Sequence, residues 1–481
     1  MSAGNVLAQP VRREQRRVLE FNAQKISEWC GGTWDPHPPT HIVGVSNDTR
    51  SLRSGNLYVA ISGDRFDGHE YVNEAFAHGA SASVVRSDWN VADKGMCLLR
   101  VSDPRRALGD IARGYRRQVN PDIVGITGSA GKTSVKELTA HILSAHVPTA
   151  KSRGNWNNDI GLPLSLLEMD SNTLAGVFEV ATNHPGEIAS LCSILEPDWG
   201  VVTNIGAAHI GYFGSIEAIA EEKSSMLRHL PTEGIAVLDC GDVYYARLRD
   251  VAPNRVVTVS TTGPADYQVR KTGSPAAVQI HERETDTSHC VALKQTGDFH
   301  AANLAFAVAT ARTYGMAWEE IRDAVKSYIP PGLRWQVELR NGVRIVNDAY
   351  NANPLSMQAA LHAFAQMDAP GRKCLVLAGM MELGTAEDCE HAALGEIVAR
   401  GDWAHLIVVG KLGEKIARAA LRAGWSPDAT LCCLNNTEAA KALRDLVREG
   451  DAVLLKGSRV FRLEEIVDAF VNEENTQAEF S

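Results

Sequence analysis

The sequence holds no C-x-x-C pair, no apolar run near the about 18 residues of a membrane span, and no surplus of basic residues. Its nine cysteines, Cys30, Cys97, Cys192, Cys240, Cys290, Cys374, Cys389, Cys432 and Cys433, are odd in number and scattered. This argues against a disulfide framework or a zinc cluster and fits unpaired thiols in a reducing compartment. Lys and Arg number 48 against 58 Asp and Glu, a net charge of −10. A general nucleic-acid binder carries the opposite balance, so no nucleic-acid partner is expected, whereas anionic small molecules need only local positive charge. The opening MSAGNVLAQPVRREQRR has basic residues without an apolar segment behind them, which is not a signal-peptide pattern. No internal repeat is visible. The expectation is a cytoplasmic protein with no membrane span.

What is present is ordinary globular material, 44% hydrophobic and 22% charged over 481 residues. That length implies roughly two to four domains. Three blocks separate, at residues 1–120, 121–332 and 333–481. The first carries short β-type runs, NLYVAIS (56–62) and SASVVR (81–86), around a helical HEYVNEAFAHGA that Gly79 can cap. In the second, DIVGITG, AGVFEVAT, WGVVTNI and GIAVLDC read as buried strands alternating with helices, the pattern of a mostly parallel α/β sheet. VVTVS, YQVRK, AAVQIHE and CVALKQT, within 256–296, read as an antiparallel excursion, followed by a helix at HAANLAFAVATARTYG. In the third block KCLVLAG, AHLIVVG and DAVLLKG each end in glycine, predicting a second doubly wound sheet. The tail NEENTQAEFS reads as disordered.

One stretch carries chemistry on its face. GITGSAGKTS (125–134) follows an apolar strand and precedes the amphipathic SVKELTAHILSAH. Strand, small-residue turn, lysine, hydroxyl and helix are the parts that cradle a phosphate: loop amides and the helix N-terminus face the anion, Lys132 reaches β/γ-phosphates, and Thr133 can hold Mg²⁺. The spacing departs from G-x-x-x-x-G-K-[ST], since Ile126 stands where the first glycine belongs and Gly125, Gly128 and Gly131 fall three apart. Glu179, near the end of an apolar strand, reads either as a Mg²⁺ ligand or as an edge carboxylate facing water. His209 lies just past another strand end, where sites in open α/β sheets gather, although a lone loop histidine is more often structural.

These segments together resemble the Mur ligase superfamily, whose nucleotide loop has the form G-x-T-G-x-x-G-K-T/S. Gly125, Thr127, Gly128, Gly131, Lys132 and Thr133 match it, with Ser129, Ala130 and Ser134 completing the loop. Within the superfamily the chain is most similar to the MurF type, through NDTRSLRSGNLYVAISGDRFDGHEYVNEAFAHGA (47–80), TNIGAAHIGYFGSIEAIAEEK (203–223), NDAYNANPLSMQAAL (347–361), MELG (381–384) and KGSR (456–459). The resemblance implies three domains: an N-terminal UDP-substrate domain, a central P-loop ATPase and a C-terminal Rossmann-like domain that closes over ATP. It implies a monomeric ligase using ATP and two Mg²⁺ ions to join D-alanyl-D-alanine to UDP-N-acetylmuramoyl-tripeptide through an acyl phosphate. A Mur ligase adding one amino acid, a P-loop switch or kinase, and a non-catalytic paralogue are the alternatives.

By the same resemblance Lys132, Thr133, Glu179 and His209 serve phosphates and metal, and Lys223 matches a carbamylated lysine; taken alone, Lys223 is a lysine on a Glu-rich helix. Asn155, Asn158, Asn303 and Arg334 correspond to nucleotide contacts, and Asp348 to a ribose or hinge-side acid. Tyr350, Asn351 and Asn353 are placed near the dipeptide or the closed loop, though Asn and Pro also build simple turns. Lys456, Ser458 and Arg459 can pair with anionic substrate groups. Thr49, Arg50, Asp67, Gly68 and His69 resemble contacts to the uridine diphosphate. Four departures stand out. Val180 and Ala181 replace Met-Gly after the glutamate, and Ser225 replaces a glutamate two residues past Lys223. Gly379 replaces an aspartate ahead of Met380, and Phe299 replaces a histidine, where it can still stack on adenine.

Overall fold

The fold is described from a computed structural model covering residues 21–472, apart from 64–65, 91–94, 254, 273, 275, 293–294 and 296. The N-terminal segment and the tail from residue 473, read above as lacking a signal and as disordered, lie outside the described residues.

Three sheets follow one another along the chain. The first has five strands, in the order Thr33–Asp35, Leu98–Val101, Ala82–Arg86, Asn56–Val59, Gly44–Ser46. The helix expected between the middle runs is a 3-10 turn, Gly68–Tyr71, continued by Val72–Ala77, and Gly79 follows it at φ 92°. The second sheet has nine strands. Asp122–Thr127 lies third from one edge, hydrogen-bonded in parallel to Ala175–Glu179 on one side and Trp199–Val202 on the other. The chain thus departs first to one side of this strand and then to the other, which opens a crevice at its carboxyl end. Pairing stays parallel outward through Ile235–Asp239, Arg255–Ser260 and Tyr267–Lys271, and only Ala277–Glu282 and Thr287–Ala292 turn antiparallel. VVTVS was expected in the antiparallel part and belongs to the parallel one. The short helix Tyr245–Val251 supplies the crossover that brings Arg255–Ser260 alongside Ile235–Asp239 in the same direction.

The third sheet has six strands, ordered Gln336–Arg340, Val343–Asn347, Ala452–Lys456, Lys373–Ala378, His405–Val409, Thr430–Cys433, parallel except for the first. Ala452–Lys456 is buried along its whole length, as a strand covered on both faces must be.

The cores are joined unequally. Leu108, Ile111 and Tyr115, on the helix Pro104–Val119 of the first unit, share one apolar cluster with Leu162, Leu166, Phe178 and Leu195 of the second. Tyr115 also donates from its hydroxyl to the Met169 carbonyl at 2.6 Å, and Arg116 to the Leu195 carbonyl at 3.0 Å. The third sheet has apolar clusters of its own on its two faces. All nine cysteines are unpaired, and among the described residues no helix is long and apolar enough to cross a membrane.

The antiparallel extension is fastened by one carboxylate. Glu282, 3% exposed, accepts from Arg312 Nε at 3.0 Å, the Tyr267 hydroxyl at 2.9 Å, Trp318 Nε1 at 2.9 Å and Thr285 Oγ1 at 3.0 Å. Burial pushes its pKa up, yet these donors outweigh burial and leave it below the ordinary value. Removing one partner of a buried pair costs about 3–5 kcal/mol, so Glu282→Ala should lower stability in urea unfolding by that order. A depressed folded-state pKa means the stabilisation is complete above the unfolded value and is lost as pH falls through the folded one. The difference between wild type and variant should therefore shrink on acidification, and a difference that grows would contradict this account.

Candidate active site

The phosphate-type loop leaves the strand Asp122–Thr127 at its carboxyl end and enters the helix Lys132–Ser144. Gly128 adopts φ 147° and Gly131 φ 84°, and a Cβ on Gly128 would lie 1.9 Å from Thr203 Oγ1. Gly125 sits inside the strand instead, against Pro197 and Met226, so the turn is made by the other two glycines. Thr127 is fully buried just before it. Thr203 and Asn204, on the segment after Trp199–Val202, bolt the loop down. Thr203 Oγ1 donates to the Ala130 carbonyl at 2.6 Å, the Ala130 amide donates to Asn204 Oδ1 at 2.8 Å, and the Ser129 hydroxyl donates to the Gly206 carbonyl at 2.9 Å. Neither Thr203 nor Asn204 was singled out from the sequence. Lys132 Nζ folds back to the Gly128 carbonyl at 2.8 Å. Burial pushes its ammonium below the ordinary pKa; Glu179 opposes that shift and Arg334 adds to it.

Glu179 ends its strand 3% exposed, so the water-facing alternative is not what the structure contains. Thr133 Oγ1 donates to Glu179 Oε2 at 2.5 Å and Asn157 Nδ2 to Oε1 at 2.9 Å. Asn157, like Thr203 and Asn204, is not among the residues expected from the sequence. Arg334, from the start of the third unit, donates to Thr133 Oγ1 at 2.8 Å, and its guanidinium lies 4.0 Å from the centre of the Tyr350 ring.

Around this node lies a cleft of about 1740 Å³, open to solvent. The expected residues Ser129, Ala130, Gly131, Lys132, Thr133, Ser134, Asn155, Glu179, His209, Asn303, Arg334, Asp348, Tyr350, Asn351, Asn353 and Lys456 all line it. Asn303 stands over the loop, 2.6 Å from where a Gly131 Cβ would be. Asn353 caps the helix Pro354–Gln366 through the Ser356 amide at 2.8 Å, and its Nδ2 reaches across to the Ser129 carbonyl at 3.1 Å. Asn351 Oδ1 accepts from the Ala352 amide at 2.9 Å. Lys456 is buried and ion-paired to Asp348 at 2.6 Å, while Asp348 Oδ1 also accepts the Trp335 amide at 3.1 Å.

His209, in the left-handed region at φ 58°, bonds through Nδ1 to Glu382 of the third unit, and that bond holds the Glu382 carboxyl below its usual range. The Gly211 amide donates to the Glu382 carbonyl at 3.1 Å beside it. Glu382 lies in the MELG segment and carried no role in the sequence reading.

Other expected residues sit elsewhere. Asn158 holds the turn that leads into the helix Gly161–Leu167, its Oδ1 accepting from the Gly161 amide at 2.8 Å. Ser458 is buried and accepts the Met381 amide at 3.0 Å, and Arg459 pairs with Glu464. Lys223 lies on the helix Ile216–Arg228, 3% exposed, and among the described residues nothing accepts a hydrogen bond from its ammonium. Burial, and then the Lys132 charge, hold its pKa well below the ordinary value, with Glu222 and Glu179 acting the other way.

In the first unit, Thr49 is buried, its carbonyl bonded to His78 at 3.0 Å, and Arg50 pairs with Asp48 on the surface. Asp67 accepts from Ser62 at 2.7 Å and from His69 Nδ1 at 2.6 Å, which hold its carboxyl at about 2 against burial. His69 Nε2 accepts the Arg86 amide at 3.0 Å, so the Nδ1 proton is the one shared with Asp67. Gly68 packs so tightly on Ile61 that a Cβ would meet its backbone at 2.6 Å.

Three of the departures can be placed locally, and nothing in the structure explains Ser225. A Cβ on Gly379 would meet Leu412 Cβ at 2.2 Å, so Leu412 fills the space an aspartate would need. Phe299 packs with His300 and Trp335 at ring distances of 3.8 and 5.6 Å on the cleft wall. Ala181 lines the cleft and donates its amide to the Asn157 carbonyl at 3.1 Å, without left-handed backbone.

Three family models match the chain: Mur ligase family, catalytic domain, over residues 41–116; Mur ligase middle domain over 126–311; and Mur ligase, glutamate ligase domain, over 333–459. A relative from Bacillus subtilis, named UDP-N-acetylmuramoyl-tripeptide–D-alanyl-D-alanine ligase, is 31% identical over 453 residues, which is 94% of this chain and 98% of the relative. One of the same name from Escherichia coli is 33% identical over 435 residues, 88% of this chain and 93% of the relative. Among solved structures, MurF from Acinetobacter baumannii superposes with a TM-score of 0.85 at 30% identity, over 94% of this chain and 99% of that one. MurF ligase from Thermotoga maritima, in complex with ADP, superposes with a TM-score of 0.79 at 28% identity, over 90% of this chain and 98% of that one. The chain belongs to the Mur ligase family and groups with its MurF branch.

Proposed function

We propose that this chain is the ATP-dependent ligase that joins D-alanyl-D-alanine to UDP-N-acetylmuramoyl-tripeptide, working as a monomer in the cytoplasmic synthesis of peptidoglycan precursors. The observation that carries the reading is the Lys132–Thr133–Glu179 node at the central switch point, roofed by Arg334 and Asn353 from the third unit. A phosphoryl-transfer site that must shield a reactive acyl phosphate from water needs such a roof. A simple P-loop switch does not. Near-full-length relatives carrying the tripeptide–dipeptide name favour this activity over addition of one amino acid and over a non-catalytic paralogue.

In this reading the tripeptide's terminal carboxylate attacks the γ-phosphorus of ATP, and ADP leaves. The dipeptide amine then attacks the acyl phosphate, and phosphate leaves from the tetrahedral adduct. Lys132 and the amides from Gly131 to Thr133 at the helix N-terminus hold the phosphates and offset their charge as it shifts. Asn155, Asn303 and Arg334 flank the nucleotide, with Tyr350 backing the guanidinium. The Asp348–Lys456 pair fixes the far wall, and Asn351 and Asn353 face the dipeptide. Thr49, Arg50, Asp67, Gly68 and His69 form the uridine-diphosphate end. We place the domain boundaries at 120/121 and 332/333.

The donor set fits magnesium. Among the described residues no group of three or more His, Cys, Asp or Glu could hold a metal by itself, and Mg²⁺ characteristically binds through one or two protein oxygens together with substrate phosphates. Thr133 and Glu179 would hold one ion, and His209, oriented by Glu382, with Lys223 a second. Bound there, Mg²⁺ neutralises phosphate oxygens. Lys223 suits carbamylation: its amine is buried, unpaired and biased towards the neutral form, which adds CO₂ with loss of one proton to give an anionic oxygen donor.

Two measurements test the proposal. In a coupled phosphate assay, release from ATP should require both the tripeptide and D-alanyl-D-alanine; release that persists with either omitted would overturn the ligase assignment. Lys223→Ala should lose activity on the order of 100-fold, with partial recovery in formate or acetate, whose oxygens replace the carbamate. Full activity in that variant would return Lys223 to a structural role.

A further inference from the structure

Lys136 has no exposed surface, and no step above uses it. It lies one turn past Lys132 on the helix Lys132–Ser144. Its Nζ donates to the Ser152 carbonyl at 2.8 Å and the Gly154 carbonyl at 2.9 Å, and pairs with Glu137 Oε1 at 2.7 Å. An ammonium has three N–H bonds, so all three are engaged. Glu137 Oε2 in turn pairs with Lys151 at 2.5 Å.

The two carbonyls belong to a segment that has just left the sheet. The strand Thr149–Lys151 is an edge strand, paired only to Ala175–Glu179. Beyond it the chain carries Asn155 into the cleft and Asn157 to Glu179 Oε1 at 2.9 Å. Ser152 Oγ accepts the Glu179 amide at 3.3 Å, and the Asn157 carbonyl accepts the Ala181 amide at 3.1 Å. A buried ammonium is costly unless fully paired, and an apolar side chain would fill this space without that cost. What the ammonium adds is direction, because it fixes where two backbone carbonyls sit.

We propose that Lys136 is a positioning residue for the ligation: through the 152–158 segment it holds Asn157 against the Glu179 carboxylate and Asn155 in the nucleotide cleft. The reaction it serves rests on the reading given under the preceding head, whereas the mechanical link rests on the contacts alone.

The test uses the full-length protein with Lys136→Met, Asn157→Ala and the double variant. Amide hydrogen exchange is followed without ligands, ATP binding is titrated in the presence of Mg²⁺, and KM is measured for each substrate. Lys136→Met should speed exchange across 152–158 about tenfold, with the other central strands unchanged, and should weaken ATP binding about tenfold while KM for D-alanyl-D-alanine stays within about twofold. Because both residues act through one segment, the double variant should bind ATP within about twofold of the weaker single variant. Exchange over 152–158 or ATP affinity within about twofold of wild type in folded Lys136→Met overturns the proposal, as does full additivity in the double variant. If Lys136→Met does not fold, Lys136→Gln is read against the same limits. Should wild type fail to release phosphate with its substrates, the ligase assignment falls, while exchange and ATP affinity still decide the role of Lys136.

Discussion

The site is organised around one buried carboxylate. Glu179 stands at the end of a parallel strand paired on both sides, with almost no exposed surface, and a carboxylate buried there has to be met by donors. Those donors come from separate parts of the chain. Thr133 arrives on the phosphate-type loop, Asn157 on the segment after the edge strand, and Arg334 joins through Thr133 from the third unit. Satisfying one acid therefore draws together the loop, its flanking segment and the closing wall. The same acid lies beside the hydroxyl that flanks Lys132, so the geometry that makes its burial tolerable is also the geometry needed around a metal–nucleotide complex.

The two outer units are attached by different physics. The first is fused to the centre through continuous apolar packing, in which Leu108 and Ile111 meet Leu162 and Leu166. The third has apolar clusters of its own, on one of which Ile210 and Phe299 of the central unit pack partly buried, and it adds polar links across the cleft, Arg334 to Thr133, Asn353 to Ser129 and His209 to Glu382. Apolar area buried in a shared core leaves no room for relative motion, whereas a few hydrogen bonds across a solvated cleft can be exchanged for water at small net cost.

Much of this was legible in the residues. The buried runs DIVGIT, AGVFE, KCLVLA and AVLLK announced both parallel sheets, because strands covered on two faces must be apolar throughout. The glycine spacing marked the loop, and structure supplies its reason: Gly128 leaves room for Thr203. Residues that act at long separation were not legible. Asn204 braces a loop more than seventy positions upstream, and a single polar residue in a connection has no periodicity to betray it. Asn157 was hidden among neighbouring asparagines, one of which, Asn158, only braces the turn before a helix. Glu382 stands in plain view within MELG, but its partner His209 lies 173 positions upstream, in the second unit. VVTVS was assigned to the wrong pairing because Tyr245–Val251, its crossover helix, is too short to show an apolar stripe. The missing acid at Gly379 has a cause no local pattern shows, since Leu412, 33 positions on, occupies its space.

The shared core of the first two units has a further consequence. The helices Pro104–Val119 and Gly161–Leu167 are packed directly on each other, so the distance from the first unit to the loop around Lys132 is set by apolar packing and not by a hinge. If the uridine-diphosphate end lies in the first unit, as proposed above, Leu108 and Leu166 act as a ruler, and a change at either would shift the substrate length that fits without removing a polar contact.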